Sequence, residues 1–340
     1  MNTFKLSFFA LLLLAFITVI QFKKDLFVLF EAGYDNFTTQ ISGNDFPITL
    51  NDATGITYTL EQPPQRIISA TLATDHILSD LVSPARVVGV SRYVDYPSLS
   101  SIVHFYGKNV KRIKAEIEVI LSLEPDLVFV ASYSNPETVR YLLRSDIAVV
   151  RLSEFKSFND IINNIRLVAS VTGNIKEADK VITDLQARIQ FVKAQVRGLE
   201  RPRVLYYDLN GYSVGGNSLM NEAIETSGGI NIAQGVMPDG EHKISEELAI
   251  SLQPDIIFMT QWIFKSPLRQ QSPVEILKGK AAWANVPAVM NNKVYAVSGT
   301  LLRSVSQHRI KGIEVLASLF HPAIQTYHGS NKREETIDAQ

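Results

Sequence analysis

A chain of 340 residues is too long for one small core and suits two compact lobes, since domains cluster near roughly 100 to 150 residues. Its 33 basic and 34 acidic side chains give a formal net charge of −1, which excludes a global field for nucleic acid or for an anionic membrane. The absence of cysteine excludes disulfides, thiolate metal sites, a cysteine nucleophile and a lipid-modified cysteine.

Lys5, an apolar run from Leu6 to Ile20, and then Lys23 and Lys24 read as the n-region and h-region of an export signal over residues 1–24. The run lies near the lower limit of about 17 residues for a spanning helix, so a cleaved signal and an uncleaved anchor both fit. Export and an extracytoplasmic location are expected either way. Residues 25–45 read as a linker without fixed structure, polar from Glu31 to Asp45 with Gly33 and Gly43.

Ile48 and Leu50 alternate with polar neighbours, Asn51 to Gly55 supply turn residues, and Ile56, Tyr58 and Leu60 alternate again, which predicts a β-hairpin ended by Pro63 and Pro64. From Arg66 onward, short β-branched runs such as Ile67-Ile68, Val87 to Val90, Leu127 to Val130 and Ala148 to Leu152 alternate with helical-period segments. That order is the pattern of βαβ units on a parallel sheet, and it resumes after residue 200 with Val204 to Tyr207, Ile256 to Met259 and Val294 to Val297. Between the halves, Ala178, Ile182, Leu185, Ile189 and Val192 recur at three- and four-residue steps. One amphipathic helix from Lys176 to Leu199 would run about 36 Å and could bridge two lobes. A coiled-coil segment that dimerises the chain is the alternative, but a heptad seam persists over more repeats.

Each half contains the same phrase. Glu118-Val-Ile-Leu-Ser-Leu-Glu-Pro125-Asp126 enters an apolar strand, and so does Glu247-Leu-Ala-Ile-Ser-Leu-Gln-Pro254-Asp255, at an offset of 129 residues (247 − 118). Proline stops the helix, aspartate caps the turn, and the apolar run enters the sheet. The helix-Leu-x-Pro-Asp-strand phrase resembles the hallmark of the periplasmic substrate-binding proteins of iron-siderophore, haem and cobalamin ABC importers. Phe46-Pro-Ile-Thr-Leu, Pro-Gln-Arg66-Ile-Ile-Ser, Tyr212-Ser-Val-Gly-Gly-Asn-Ser, Ser227-Gly-Gly-Ile-Asn231 and Leu319-Phe-His-Pro322 extend the likeness over about 46–322.

The resemblance implies an α/β fold of two pseudo-symmetric lobes with parallel sheets bridged by one long α-helix. It divides the chain into an N-terminal lobe (46–173), a bridging helix (174–200), a C-terminal lobe (201–325) and a polar tail (326–340). It implies a monomer that captures a ferric siderophore, cobalamin or haem, in that order of expectation, and delivers it to a permease dimer without chemistry. No resident cofactor, nucleic acid or membrane contact beyond the N-terminus is expected. Glu118 and Glu247 match the glutamates with which the family docks onto permease arginines. On the residues alone, both also simply favour a helix N-terminus, as Glu116 and Glu246 beside them do.

A ligand between two such lobes is lined by the loops at the carboxyl ends of the strands. These loops carry Thr71, Tyr93, Tyr133, Tyr212 and Trp262, a mixture of aromatics and hydroxyls suited to a large ligand with apolar faces and polar edges. Ser69 to Thr74 leads a strand into a helix, where backbone donors and the Thr71 and Thr74 hydroxyls fit an anionic group; an ordinary N-cap explains Thr74 equally well. Lys108, Lys111, Arg112 and Lys114 form a local cationic cluster, and the resemblance puts a ligand-facing arginine at Arg112 and another at Arg303. A guanidinium fork matches paired anionic oxygens. Against haem, Lys111 stands where the family's axial tyrosine would fall, which leaves Tyr106 as the one nearby phenol. Against cobalamin, Ala131 and Glu241 stand near the positions of its gripping tryptophans, with Tyr133, His242 and Trp262 as substitutes.

A free-metal binder would need about three histidines and a carboxylate at one point, and none of the six histidines pair at ligand spacing. For an enzyme, no P-loop, dinucleotide fingerprint or nucleophile elbow is present. Gly215-Gly216-Asn217-Ser218 fits a phosphate cradle, or more simply a tight turn.

Overall fold

The computed structural model describes residues 39–43, 45–51, 57–114, 116–152, 154–261, 272–325 and 327. Residues 1–24, expected to be an export signal or anchor, most of the expected polar tail and Trp262 lie outside the described residues.

The chain opens with a three-stranded antiparallel sheet, β1 (Gln40–Ser42), β2 (Ile48–Asn51) and β3 (Thr57–Leu60). The expected hairpin is β2 with β3, and its turn lies outside the described residues. β1 corrects the reading of 25–45 as linker throughout: Gln40 to Ser42 pair with Thr49 to Asn51. The segment has no apolar alternation of its own and is ordered by its partner strand.

The first parallel unit follows in the order β4 (Ile67–Ser69), α1 (Leu72–Leu81), β5 (Val87–Ser91), β6 (Lys111–Ile113), α2 (Ile117–Ser122), β7 (Leu127–Ala131), α3 (Pro136–Leu142), β8 (Ala148–Leu152) and α4 (Phe158–Thr172). Its five strands lie parallel in the order β6-β5-β4-β7-β8. Gly173 closes α4 in the left-handed conformation (φ 75°), and α5 (Ile175–Val196) starts at once. Its 22 residues run about 33 Å.

The second unit contains β9 (Arg203–Tyr206), β10 (Tyr212–Val214), α6 (Leu219–Thr226), β11 (Ile230–Asn231), β12 (Glu241–Lys243), α7 (Glu246–Ser251), β13 (Ile256–Gln261), α8 (Pro273–Lys278), α9 (Pro287–Met290), β14 (Val294–Ser298), α10 (Gly299–Leu302) and α11 (Arg309–Phe320). Strands β11-β9-β13-β14 form a parallel sheet, and β10 with β12 forms an antiparallel ribbon beside it.

Side chains alternate between two cores along each central strand. Leu127 and Phe129 face a large core, while Val128 and Val130 face a smaller one under α2 and α3. Ile256 and Phe258 face the same large core from the second sheet, while Ile257 and Met259 face another small one around Trp283. Each sheet is thus covered on both faces, which explains strands apolar throughout. The two inner faces share one continuous core with Ala178, Ile182, Leu185, Ile189 and Val192 of α5. The protein is therefore two parallel-sheet lobes fused along one apolar spine that contains the bridging helix.

The repeated phrase is duplicated in its hydrogen bonds. Glu124 and Gln253 both take positive φ (45° and 47°) between helix and proline. Asp126 accepts the Arg66 N–H, and Asp255 accepts the Arg203 N–H at 2.9 Å. Each arginine returns a guanidinium bond to the end of the preceding helix, at Leu123 and Leu252. The aspartates thus tie down the start of the neighbouring strand, a longer reach than the local turn cap expected from sequence.

Candidate ligand-binding site

In the first sheet the strand order reverses between β4 and β7, and in the second between β9 and β13. Such reversal points open a crevice at the carboxyl ends of the strands, where open α/β sheets receive ligands. Thr71 and Tyr133 follow β4 and β7. Tyr206 ends β9 and Thr260 is the last residue but one of β13, with the Tyr206 hydroxyl 3.1 Å from Thr260 Oγ1. Both are buried, so they pack beneath the strand ends and offer a ligand no surface.

Thr71, and not Thr74, is the N-cap of α1: its Oγ1 accepts the Thr74 N–H at 3.3 Å and lies 3.0 Å from Thr74 Oγ1. The Tyr133 ring is 58% exposed and packs against Phe155 at 5.3 Å. Its hydroxyl end sits among protein atoms beside Thr71, and this crowding pushes the phenol up to about 12, opposed by the Thr71 hydrogen bond.

Beneath this floor lies Asp75, fully buried in the first turn of α1. It accepts the Ser91 N–H at 3.2 Å and the Ser91 hydroxyl at 2.5 Å, at the root of the loop after β5. Burial raises its pKa to about 7, against the opposing bonds from Ser69 and Ser91 and the charge of Arg112. The loop above presents Tyr93 (42% exposed) and Tyr96 with ring centroids 6.0 Å apart, and the Arg92 guanidinium lies 5.0 Å from the Tyr93 centroid.

Arg112 lies on β6, a strand the charged sequence Lys-Arg-Ile concealed. Its Nε donates to Asp95 Oδ2 (2.7 Å), Nη1 to the carbonyls of Gly107 and Val110 (both 2.8 Å), and Nη2 to Asp95 Oδ1 (3.0 Å) and the Tyr106 carbonyl (2.7 Å). All five N–H donors are engaged, so the guanidinium braces the Tyr93 loop from within. Tyr106, the phenol that kept haem open, is 1% exposed and donates to the Asp75 carbonyl at 2.8 Å.

In the second lobe, Tyr212 on β10 is 36% exposed with the Lys243 ammonium 5.8 Å from its ring centroid. Arg303, just after α10, grips Glu241 of β12 with both terminal nitrogens, the longer bond 2.9 Å. Its charge is thereby met within the lobe. The glycines that suggested a phosphate cradle serve a close chain approach: a Cβ on Gly215 would lie 1.9 Å from the Pro238 carbonyl oxygen. The Gly215 N–H is spent on the Gly240 carbonyl at 2.8 Å.

Glu118 and Glu247 sit in the first turns of α2 and α7, exposed, and neither makes a hydrogen bond or ion pair among the described residues. Their neighbours differ. Glu116 accepts the Lys114 N–H at 2.9 Å, and Glu246 accepts Lys280 at 2.7 Å and the Trp283 indole at 2.5 Å. Among the described residues, no group of three or more His, Asp or Glu is placed to hold a metal ion. Nor is any described helix long and apolar enough to cross a membrane.

The family profile described as "Periplasmic binding protein" matches residues 67–300. The chain belongs to that family. A cobalamin-binding protein of Halobacterium salinarum is 27% identical over 258 residues, covering 73% of this chain and 69% of the relative. An uncharacterised ABC transporter substrate-binding lipoprotein of Bacillus subtilis is 23% identical over 286 residues, covering 82% and 86%. Among solved structures, a periplasmic binding protein of Veillonella parvula superposes with a TM-score of 0.68 over 84% of this chain and 99% of its own, at 17% identity. The chain is a substrate-binding protein and not an enzyme.

Proposed function

We propose that this protein is the extracytoplasmic substrate-binding component of an ABC importer and that it captures a bulky metal chelate between its lobes, a corrinoid foremost. The observation that carries this reading is the character of the two strand-end crevices. They are bordered by the exposed rings of Tyr93, Tyr96, Tyr133 and Tyr212 and by the Thr71 hydroxyl, while Arg112 and Arg303 are each paired with a carboxylate. A surface of aromatic faces and hydroxyls whose two candidate ligand arginines are already paired suits a large ligand with apolar faces and amide edges. The pairing weakens the case for an anionic siderophore, first in the order expected from sequence, and the buried Tyr106 weakens the case for haem. The cobalamin-binding relative supports the same order.

Thr71, Tyr93, Tyr133, Tyr212 and Trp262 are the ligand contacts in this reading, with Arg112 and Arg303 holding their loops. Residues 46–173 and 201–325 form the two lobes, 174–200 the bridge, and the chain acts as a monomer. Glu118 and Glu247, unpartnered and at equivalent places, dock onto cationic side chains of a permease dimer. The N-terminal 24 residues export the chain or hold it at the membrane. Titration of the purified chain with cyanocobalamin, a ferric siderophore and haemin, read by tryptophan fluorescence, tests the ligand order. Saturable one-to-one quenching by cyanocobalamin is expected. Binding of an anionic siderophore alone would overturn the order, and binding of none would overturn the ligand class.

A further inference from the structure

The lobes meet at a second place besides α5. Helix α1 of the first lobe carries Thr71 and Asp75 at its start, and its later turns face the segment 304–309 of the second lobe. There the Gln307 side-chain amide donates to the His76 carbonyl and to Asp80 Oδ2, both at 2.7 Å. His76 Nδ1 lies 3.2 Å from Ser306 Oγ, and Nε2 lies 3.4 Å from Ser100 Oγ. Ser304 Oγ lies 2.9 Å from Ser306 Oγ. The His308 ring meets His76 edge-on at 5.1 Å, with its Nε2 3.7 Å from Asp80 Oδ2. His76 and Ser306 are fully buried, and Gln307 nearly so.

This polar seam lies beside a continuous apolar core. Apolar packing is non-directional and tolerates small sliding of one body on another. Hydrogen bonds hold only within narrow distances and angles, and buried polar groups that lose a partner are costly. A buried polar row between two otherwise apolar bodies therefore specifies their register more than it adds adhesion. The segment's place in the chain gives that register a consequence: Arg303 immediately precedes it, and Thr71 and Asp75 begin the helix it grips.

We infer that Ser306, Gln307 and His76 are positioning residues that pin the second lobe to helix α1 and so set the spacing between the two strand-end crevices. A second tie acts at another point of the same junction, where Glu222 of α6 accepts the Phe158 N–H at 2.6 Å at the start of α4. With two polar ties and one shared core, the lobes hold a single separation before any ligand arrives.

The absence of native cysteine makes the test direct, because two introduced cysteines are the only labelling sites. Glu137→Cys in the first lobe and Asn291→Cys in the second, both exposed, carry spin labels for an interlobe distance measurement. The parent is expected to give one narrow distribution. Ser306→Ala with Gln307→Met nearly keeps side-chain volume, removes the Ser306 and Gln307 bonds and leaves the Glu222 tie, and should at least double the width of that distribution or move its maximum by several ångströms. Ser306→Ala alone, which deletes one oxygen, carries the test if the double variant does not fold. An unchanged distribution overturns the inference, including the case where the melting temperature falls, since a merely structural contact would lower stability without moving the lobes. No ligand enters the readout, so a failure to bind cyanocobalamin leaves this inference standing.

Discussion

Asp75 makes the stability of this protein depend on pH in an unusual direction. Its carboxyl group is fully buried, and burial raises its pKa from the ordinary 3.8 to about 7. In the window between those values the folded chain holds a proton that the unfolded chain has released, so stability falls as pH rises. The contribution is fully present below 3.8 and lost once pH passes through about 7. Each pKa unit corresponds to about 1.4 kcal/mol, so between pH 5 and pH 8 this group alone should remove about 2–3 kcal/mol. Asp75→Asn keeps an acceptor for the Ser91 N–H and offers a donor to the Ser91 hydroxyl while removing the proton. Urea unfolding of both proteins at half-unit steps from pH 5 to pH 8 isolates the effect. The variant should gain on the parent by about 2–3 kcal/mol across the range. Parallel stability curves would refute the reasoning and place the carboxylate in an environment that tolerates its charge.

His76 acts in the opposite sense at lower pH. Burial, helped by His308, lowers its pKa from 6.5 to about 3, so its contribution is present above 6.5 and lost as pH falls toward 3. His76→Asn should flatten the acid limb of the stability curve, measured by urea unfolding at pH 4 and pH 6.5. Arg112→Ala should cost about 1–3 kcal/mol by leaving Asp95 and three carbonyls without their donor, read as a lower melting temperature. Lost cyanocobalamin binding at an unchanged melting temperature would instead make Arg112 a direct ligand contact. Glu118→Ala with Glu247→Ala should leave cyanocobalamin affinity within twofold and reduce uptake by whole cells. Uptake equal to the parent's would remove the docking role.

The parts of this fold written in local periodicity were legible before any coordinates. Ile67-Ile68, Leu127 to Val130 and Ile256 to Met259 are apolar on both faces because both faces are covered, and α5 shows its buried stripe at helical spacing. The Leu-x-Pro-Asp repeat announced two related lobes. What escaped was held together by partners distant in sequence. Lys111 to Ile113 is an edge strand rich in charge, which protects an edge but erases the strand signal. The ribbon joins Tyr212 to Val214, buried at its last two residues, to the exposed Glu241 to Lys243, and neither segment is long enough to show apolar alternation.

For the candidate site, the sequence named residues but not their partners. Tyr93 and Tyr133 are exposed in loops that follow strands, and Tyr212 is exposed at the start of β10, where it was read as part of a loop. Arginine, however, looks the same in sequence whether it waits for a ligand or serves its own fold. Only the coordinates reveal Asp95 beneath Arg112 and Glu241 beneath Arg303, 17 and 62 residues away along the chain. Likewise Glu118 and Glu116 are indistinguishable as helix-start acids until one is found engaged by a backbone N–H and the other open to solvent.

Native mass spectrometry of the purified full chain with an equimolar mixture of cyanocobalamin, a ferric siderophore and haemin tests the central claim most directly. A single adduct at one ligand per chain is expected, of the mass of intact cyanocobalamin and unchanged after prolonged incubation. An absence of adducts, or a ligand converted to product during incubation, would contradict it.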